Sequence, residues 1–477
     1  MRQIPRNYVY FFCIVILSLF IRAISLNQSF WLDEAAQAVL SAKPLGAVNY
    51  AVDFQPPLYY ILIHFWMKLG IHGEWFLRLP SILFGAMTCG ATYILFKNLF
   101  NRKVGLISGL LLALAPYHIY YSQELRMYSL LTFLVLLSWV FLYKNQWKRF
   151  AIISALAFFT HYFAFVNIFA QMIYVVLADR KNVQKISFYS GLAILPFMLW
   201  IPTLLKQIEQ SKHLILLLPG WKAVSNPGFF KFIPLVFAKF TVGMIRPENK
   251  ILYALSTFIM VAIFFSALTV VARKYQKIKI QSEKNHIRIL LAAFFLPLFI
   301  AWIAGMWIDA SSVWRIQFIL PFFYGIIAFG LYEMRRIGKM LIGIVFLVQI
   351  VFSSLYLFNT RYQRENWRDA VAYTDAHGQN GARVLVEFSG PFAPIEWYSK
   401  DLTAYAGTGT DVNITPESVK IKLKDKLKNN PPVMLYTYLY ELTDPQQHVD
   451  QYLKTKGYTI TSEKDFRGVG IIKSYKP

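Results

Sequence analysis

Cysteine is almost missing from this chain. Its 477 residues include two, Cys13 and Cys89. Both fall in apolar runs, so a disulfide framework and a cysteine-based zinc site are excluded. Charge is scarce as well: 16% of residues are Asp, Glu, Lys or Arg, against roughly 25% in soluble proteins. Acidic residues are the rarer kind, 25 against 49 basic ones. The polar C-terminal region has no Gly-rich phosphate loop and no nucleophile elbow. No internal repeat is visible either, which weakens an inverted-repeat transporter architecture. The chain is instead apolar, with 56% hydrophobic and 17% aromatic residues and a mean hydropathy of +0.43. One anchor helix cannot account for that, so many segments must face lipid, with aromatics at the membrane interfaces. The net charge of +24 fits the same picture, because basic residues cluster between the apolar runs as the positive-inside rule demands. No basic stripe with interleaved aromatics occurs in a soluble segment, which argues against nucleic acid as a partner.

A bilayer core of about 30 Å takes roughly 20 apolar residues per helix. Such runs are Tyr8–Ser25, Phe76–Phe96, Val104–His118, Met127–Tyr143, Ile186–Leu205, Ile251–Val271, Ile289–Trp307, Trp314–Tyr332 and Leu341–Phe358. Phe150–Leu177 is too long for one crossing and short for two. Charge decides how to count it. Arg2 and Arg6 make the N-terminus cytoplasmic, and alternation then puts Lys97, Arg102 and Lys103 on the same side as Lys144, Lys148 and Arg149. Arg180, Lys181 and Lys185 join them only if 150–177 crosses twice, turning near His161. The cluster Arg273–Arg288 and the trio Arg335, Arg336 and Lys339 then follow suit. The sequence therefore predicts a mainly α, polytopic membrane domain over residues 1–358 with about eleven transmembrane helices. The first run reads as an uncleaved signal anchor, since no small-residue cleavage site follows it.

Two long segments fall outside the membrane. The first outer loop, 26–75, has helical character over Trp31–Ala42 and an interfacial helix over Leu58–Leu69. The second, 359–477, is polar. Strands are predicted at Val384–Phe388, Val433–Tyr438, Tyr458–Ser462 and Gly470–Ser474, and helices at Trp367–Ala376, Pro416–Leu427 and Pro445–Lys456. This is a small extracytoplasmic α/β domain.

Few residues stand out chemically. Asp33 and Glu34 lie just outside the first run. A carboxylate there suits proton abstraction from an acceptor, while Asp33 as a helix cap, with Glu34 at the positive end of the helix dipole, reads equally well. Arg126, in Tyr121–Tyr128 at the outer end of two runs, suits a phosphate through its bidentate fork; a local ion pair with Glu124 is the blander reading. Arg315 is a third outer cation. Arg22 and Arg78 read as snorkelling interfacial residues. His161, at the outer turn, reads first as a hydrogen-bonded structural histidine, and second as a metal ligand with Glu124 or Asp33.

Taken in order, these blocks resemble a known family. Trp31-Leu32-Asp33-Glu34-Ala35, Gln55-Pro56-Pro57-Leu58-Tyr59-Tyr60, and Glu74 with Arg78-Leu79-Pro80-Ser81 and Gly85 look like the opening of bacterial GT-C glycosyltransferases. The resemblance is to the protein O-mannosyltransferase and aminoarabinose transferase group. Tyr121–Tyr128, Arg315 with Pro321, and Trp367-Arg368-Asp369-Ala370 continue it. It implies a GT-C fold in the bacterial plasma (inner) membrane. It also implies a polyprenyl-phosphate-linked sugar donor and inverting transfer to an extracytoplasmic lipid, glycan or protein. Under it, Asp33 is the base, Glu34 supports it or binds a cation, and Arg126 and Arg315 hold the donor phosphate. Gln55, Tyr59, Glu124, Tyr128 and His161 are then substrate-binding. Many relatives carry His where this chain has Gln55, so no metal ligand set is assigned, although the resemblance leaves room for a divalent cation. The rival reading is a transporter or flippase for a lipid-linked sugar. It calls for carboxylates within the membrane, whereas this acidic pair lies outside the first run.

Overall fold

Apolar runs bounded by basic clusters become helices. The computed structural model describes residues 6–50, 53–245, 247–308, 311–379, 381–410 and 413–477; Arg2, used above for sidedness, lies outside them. Among the described residues, six helices are long and apolar enough to cross a bilayer: Glu74–Leu99, Arg180–Leu217, Lys250–Lys277, Gln281–Ala304, Val313–Glu333 and Arg335–Phe358. A seventh span is the broken pair Arg102–Leu114 and Pro116–Ser122, bent by 61°. Pro116 opens the second half of that pair, where its missing N–H and its restriction of the preceding residue stop the first half. The other predicted crossings are shorter apolar helices, among them Tyr8–Ala23, Tyr128–Tyr143 and Ala164–Ala178. Helix length therefore supports six or seven of the eleven expected spans.

The stretch 150–177 is indeed two helices, Trp147–Phe158 and Ala164–Ala178, joined by a turn at His161. Phe229–Val242 is a helix outside the predicted runs; Lys231, Pro234 and Lys239 break its apolar run. Contacts gather the basic clusters at one end of the bundle. Arg102 lies over the Tyr10 ring at 5.6 Å and Lys274 pairs with Glu333 at 2.9 Å. Tyr143 Oη meets His286 Nε2 at 3.3 Å, and Asn182 donates to Asn145 at 3.2 Å. The opposite end carries the first outer loop and the C-terminal domain. The bundle is close-packed through small residues: a Cβ on Gly330 would stand 2.4 Å from the Ala267 carbonyl oxygen of the neighbouring helix, a backbone approach that only glycine permits.

The C-terminal domain has a five-stranded sheet, β1 (Arg383–Val386), β2 (Tyr405–Gly407), β3 (Val433–Tyr436), β4 (Thr459–Phe466) and β5 (Gly470–Lys476), in the order β2-β1-β3-β5-β4. β1 runs parallel to β2 and β3, while β5 is antiparallel to β3 and β4. Alternation decides the layers. Val384, Val386, Met434 and Tyr436 face a core with Trp367 and Ile395, whereas Leu385, Val433 and Leu435 face one with Val449 and Leu453. The predicted strands and helices are present. β2 was missed, because three residues carry no period.

Candidate active site

The acidic helix Leu32–Ala42 begins at Trp31, whose side chain makes no capping hydrogen bond, so Asp33 is not the cap. The first amide, Leu32 N–H, donates to Glu365 Oε2 at 3.3 Å. A carboxylate from the C-terminal domain thus sits at the positive end of this helix, the favourable end for an anion. Trp367 Nε1 and Tyr438 Oη also donate to Glu365, at 2.6 and 3.2 Å. Burial pushes the Glu365 carboxyl up to about 7 against these bonds.

The two members of the acidic pair have opposite fates, because consecutive residues on a helix point about 100° apart. Glu34 is fully buried. Arg78 grips it with both prongs, Nε to Oε1 at 2.8 Å and Nη2 to Oε2 at 2.5 Å, and Leu125 N–H donates to Oε1 at 2.7 Å. Burial alone would raise its carboxyl, but Arg78, Arg364 and these hydrogen bonds hold it below the usual range. Arg78 is saturated too, donating to the carbonyls of Leu26, Gln28 and Ser29. It is therefore a buried brace rather than the snorkelling residue expected. The same correction applies to Arg22, fully buried and bonded to Ala113 O at 3.1 Å and His118 Nδ1 at 2.6 Å.

Asp33 faces the other way, with a side chain 41% exposed. Arg126 lies beside it, Nη2 to Oδ2 at 4.0 Å, and also meets Asp53 at 3.4 Å. A cation expected to hold the donor phosphate is thus adjacent to the acidic motif. The reason is local: the Leu125–Glu34 bond folds the 123–127 turn back onto the acidic helix. The recess raises the Asp33 carboxyl through burial; Arg126 opposes the rise, Asp53 adds to it, Arg315 opposes and Glu34 adds.

The remaining predicted residues surround this recess in distinct roles. Tyr59 Oη bonds Ser81 Oγ at 2.6 Å, and Ser81 reaches the Arg126 carbonyl at 3.2 Å; Tyr59 thus supports Arg126 from behind. The Gln55 side chain is buried with Oε1 unpaired among the described residues. Its loop is pinned by Gln207, whose Nε2 donates to the carbonyls of Tyr50 and Asp53, both at 2.6 Å, and of Gln55 at 3.2 Å. The Tyr128 ring lies tilted against His161, with centroids 5.9 Å apart. His161 Nδ1 accepts from Phe163 N–H at 3.0 Å. Burial, then Arg315 and Arg126, keep this imidazole neutral by lowering its pKa well below the usual value, so its proton sits on Nε2. Glu124 is fully buried, with both oxygens lacking a hydrogen bond among the described residues. Burial pushes its carboxyl up to about 8, against the pull of Arg364.

Sequence reasoning missed Asp53 and the braces from the C-terminal domain. Arg364 lies over the Tyr120 ring at 4.3 Å, 3.7 Å from Glu34 and 3.9 Å from Glu124. Arg368 and Tyr398 both bond Glu74, at 2.5 and 2.9 Å, and Tyr398 Oη accepts from Phe30 N–H at 2.7 Å. Only the Trp367-Arg368-Asp369-Ala370 block hinted at them. Asp53, two residues before Gln55, had a signal in its place within the outer loop. Among the described residues no three His, Cys, Asp or Glu side chains are grouped to hold a metal.

Comparison with known proteins adds a fold and a family match over part of the chain. A model of the family described as dolichyl-phosphate-mannose-protein mannosyltransferase matches residues 54–205. The chain is similar to ArnT from Cupriavidus metallidurans bound to undecaprenyl phosphate, with TM-score 0.59 at 11% identity over 98% of this chain and 97% of that one. It is also similar to the Archaeoglobus fulgidus oligosaccharyltransferase in complex with Zn and sulfate, with TM-score 0.52 at 13% identity over 89% and 68%. The archaeal oligosaccharyltransferase AglB from the same organism, with an inhibitory peptide and a dolichol-phosphate, matches at 0.52 and 13% over 90% and 69%. Comparison with curated proteins gives no match. These likenesses show a shared fold, with a family match confined to residues 54–205, in keeping with the resemblance read from the motifs.

Proposed function

We propose that this GT-C chain moves a sugar from a polyprenyl-phosphate-linked donor to a lipid, glycan or protein acceptor, with Asp33 as the general base. One observation carries the reading: of two adjacent carboxylates, one is locked in a buried pair and the other is presented, half-exposed, beside a nearly buried arginine. Burial makes Asp33 more basic, the direction a general base needs. In the step, Asp33 takes the proton as the acceptor oxygen or nitrogen bonds to the anomeric carbon. The carbon–oxygen bond to phosphate breaks, and the electron pair leaves on the phosphate. Arg126 and Arg315 receive that charge; stabilisation of this kind is worth several kcal/mol in a water-poor recess. Arg126 meets Asp53 and Asp33, and the donor phosphate competes with them for it. The positive charge a divalent cation could supply between Asp33 and Asp53 is assigned to Arg126. Glu34 holds the acidic helix in place and touches no substrate. Gln55, Tyr128, His161 and Glu124 line or back the sugar site.

In this reading the chain crosses a bacterial inner membrane about eleven times. Its basic end and N-terminus are cytoplasmic, and its C-terminal domain lies outside. The donor keeps its lipid tail in the bilayer while its head reaches the recess.

The test is transfer itself. Purified protein is given polyprenyl-phosphate hexose or pentose with lipid, glycan or peptide acceptors, and sugar transfer is followed. Asp33→Asn should lower the rate by about 10²–10⁴-fold with the fold intact. Transfer untouched by that change removes Asp33 as the base, and flux of donor without transfer favours a transporter. A cysteine tag in the C-terminal domain that is labelled only from the cytoplasm overturns the sidedness.

A further inference from the structure

At the end of the bundle remote from Asp33, a cavity of about 970 Å³ opens between the helices Arg102–Leu114, Leu320–Glu333 and Arg335–Phe358. Four cations line it: Lys103, Arg335, Arg336 and Lys339. Among the described residues no carboxylate lies within ion-pair distance of any of the four. The acid on the wall, Glu333, is already paired with Lys274 at 2.9 Å. Leu106, Leu331 and Ile342 add apolar lining. The backbone is bent to build this lining. Leu320–Glu333 and Arg335–Phe358 are joined without a loop, and Arg335 takes φ 54° in the left-handed region. A Cβ on Gly338 would overlap the Leu331 carbonyl at 1.7 Å, so the crossing is as close as two backbones allow. Strain of this kind in a non-glycine residue marks a geometry that the surroundings enforce.

We propose that this cavity holds the headgroup of an anionic phospholipid from the leaflet at the basic end of the bundle. The phosphate meets the four cations, and the first carbons of an acyl chain lie along Leu106, Leu331 and Ile342. Positive-inside placement by itself spreads cations around helix ends; here four of them line one half-open groove between helices together with apolar side chains, the form of an inter-helix lipid site. The inference is independent of the sugar chemistry, since it needs only that this end meets a leaflet.

Native mass spectrometry of the full chain tests it, after exchange into phosphatidylglycerol or phosphatidylethanolamine. Wild type should keep one phosphatidylglycerol per chain, at least tenfold more readily than phosphatidylethanolamine. It should also melt higher in vesicles containing phosphatidylglycerol than in phosphatidylethanolamine vesicles. The triple change Lys103→Gln, Arg336→Gln, Lys339→Gln should erase the preference. Arg180→Gln, Lys181→Gln, Lys185→Gln, three cations removed from another cluster at the same end, should preserve it. Equal retention of both lipids by wild type overturns the site without recourse to any variant. Equal loss in both triple variants overturns it in favour of bulk charge attraction. Displacement of the lipid by inorganic phosphate at equal concentration overturns the lipid assignment in favour of a soluble phosphate.

Discussion

Replacing Glu124 by Gln changes the charge of the recess and keeps its shape. Glu124 is fully enclosed and without hydrogen-bond partners among the described residues, with Arg364 no nearer than 3.9 Å. Burial lifts its carboxyl from 4.5 to about 8, Arg364 pulls it down, and Glu34 pushes it up again. A carboxyl with a folded pKa above its unfolded one binds its proton more tightly in the folded state. Its contribution to stability is therefore full below pH 4.5 and declines as pH rises toward 8. At about 1.4 kcal/mol per pKa unit, the loss at alkaline pH is on the order of 3–5 kcal/mol. Gln stays neutral throughout. At pH 5 wild type and Glu124→Gln should melt together; by pH 9 the variant should melt several degrees higher. One kcal/mol shifts Tm by roughly 2–4 °C in domains of 150–250 residues, and by less in a chain of this length. The assay is tryptophan fluorescence during heating in detergent at each pH, reading the difference between the two proteins so that other titrations cancel. A Tm difference that stays constant from pH 5 to pH 9 refutes the assignment of Glu124 as a buried, protonated acid.

Three other changes probe the scaffold. Arg78→Met leaves Glu34 charged and buried, and should cost about 3–5 kcal/mol; adding Glu34→Gln should restore part of the loss, measured by chemical denaturation of both variants. Gln207→Ala takes the donor from the carbonyls of Tyr50, Asp53 and Gln55. It should speed proteolysis of the 43–55 loop and raise the donor KM more than it lowers kcat. Trp367→Ala empties the centre of the first C-terminal core, at a cost of about 3–5 kcal/mol. Because Arg364, Glu365 and Arg368 flank it, transfer should fall along with the stability of that domain; unchanged transfer with a melted domain shows that the domain does not position the acidic helix.

Much of this molecule is written in local pattern. The apolar runs and the basic residues between them predicted the helices and their common basic end. The double crossing at His161 followed from charge balance alone, because Arg180, Lys181 and Lys185 had no other way onto that end. The strands read at Val384–Phe388 and Val433–Tyr438, interleaved with helices, foretold a small α/β domain. Helix Phe229–Val242 and strand β2 escaped, the first because lysines and a proline interrupt its run, the second because it is three residues long.

The sequence by itself determined that an acidic pair follows the first apolar helix, and predicted Arg126 and Arg315 at the same level. It could not tell Asp33 from Glu34, since two adjacent carboxylates on one helix have the same local chemistry. Only the tertiary structure separated them, by bringing Arg78, Leu125 and Arg364 to the face where Glu34 points and leaving Asp33 to the recess. Those partners lie far along the chain from Glu34, one of them beyond the last membrane helix. Periodicity reports which face a residue occupies and carries no information about what that face meets.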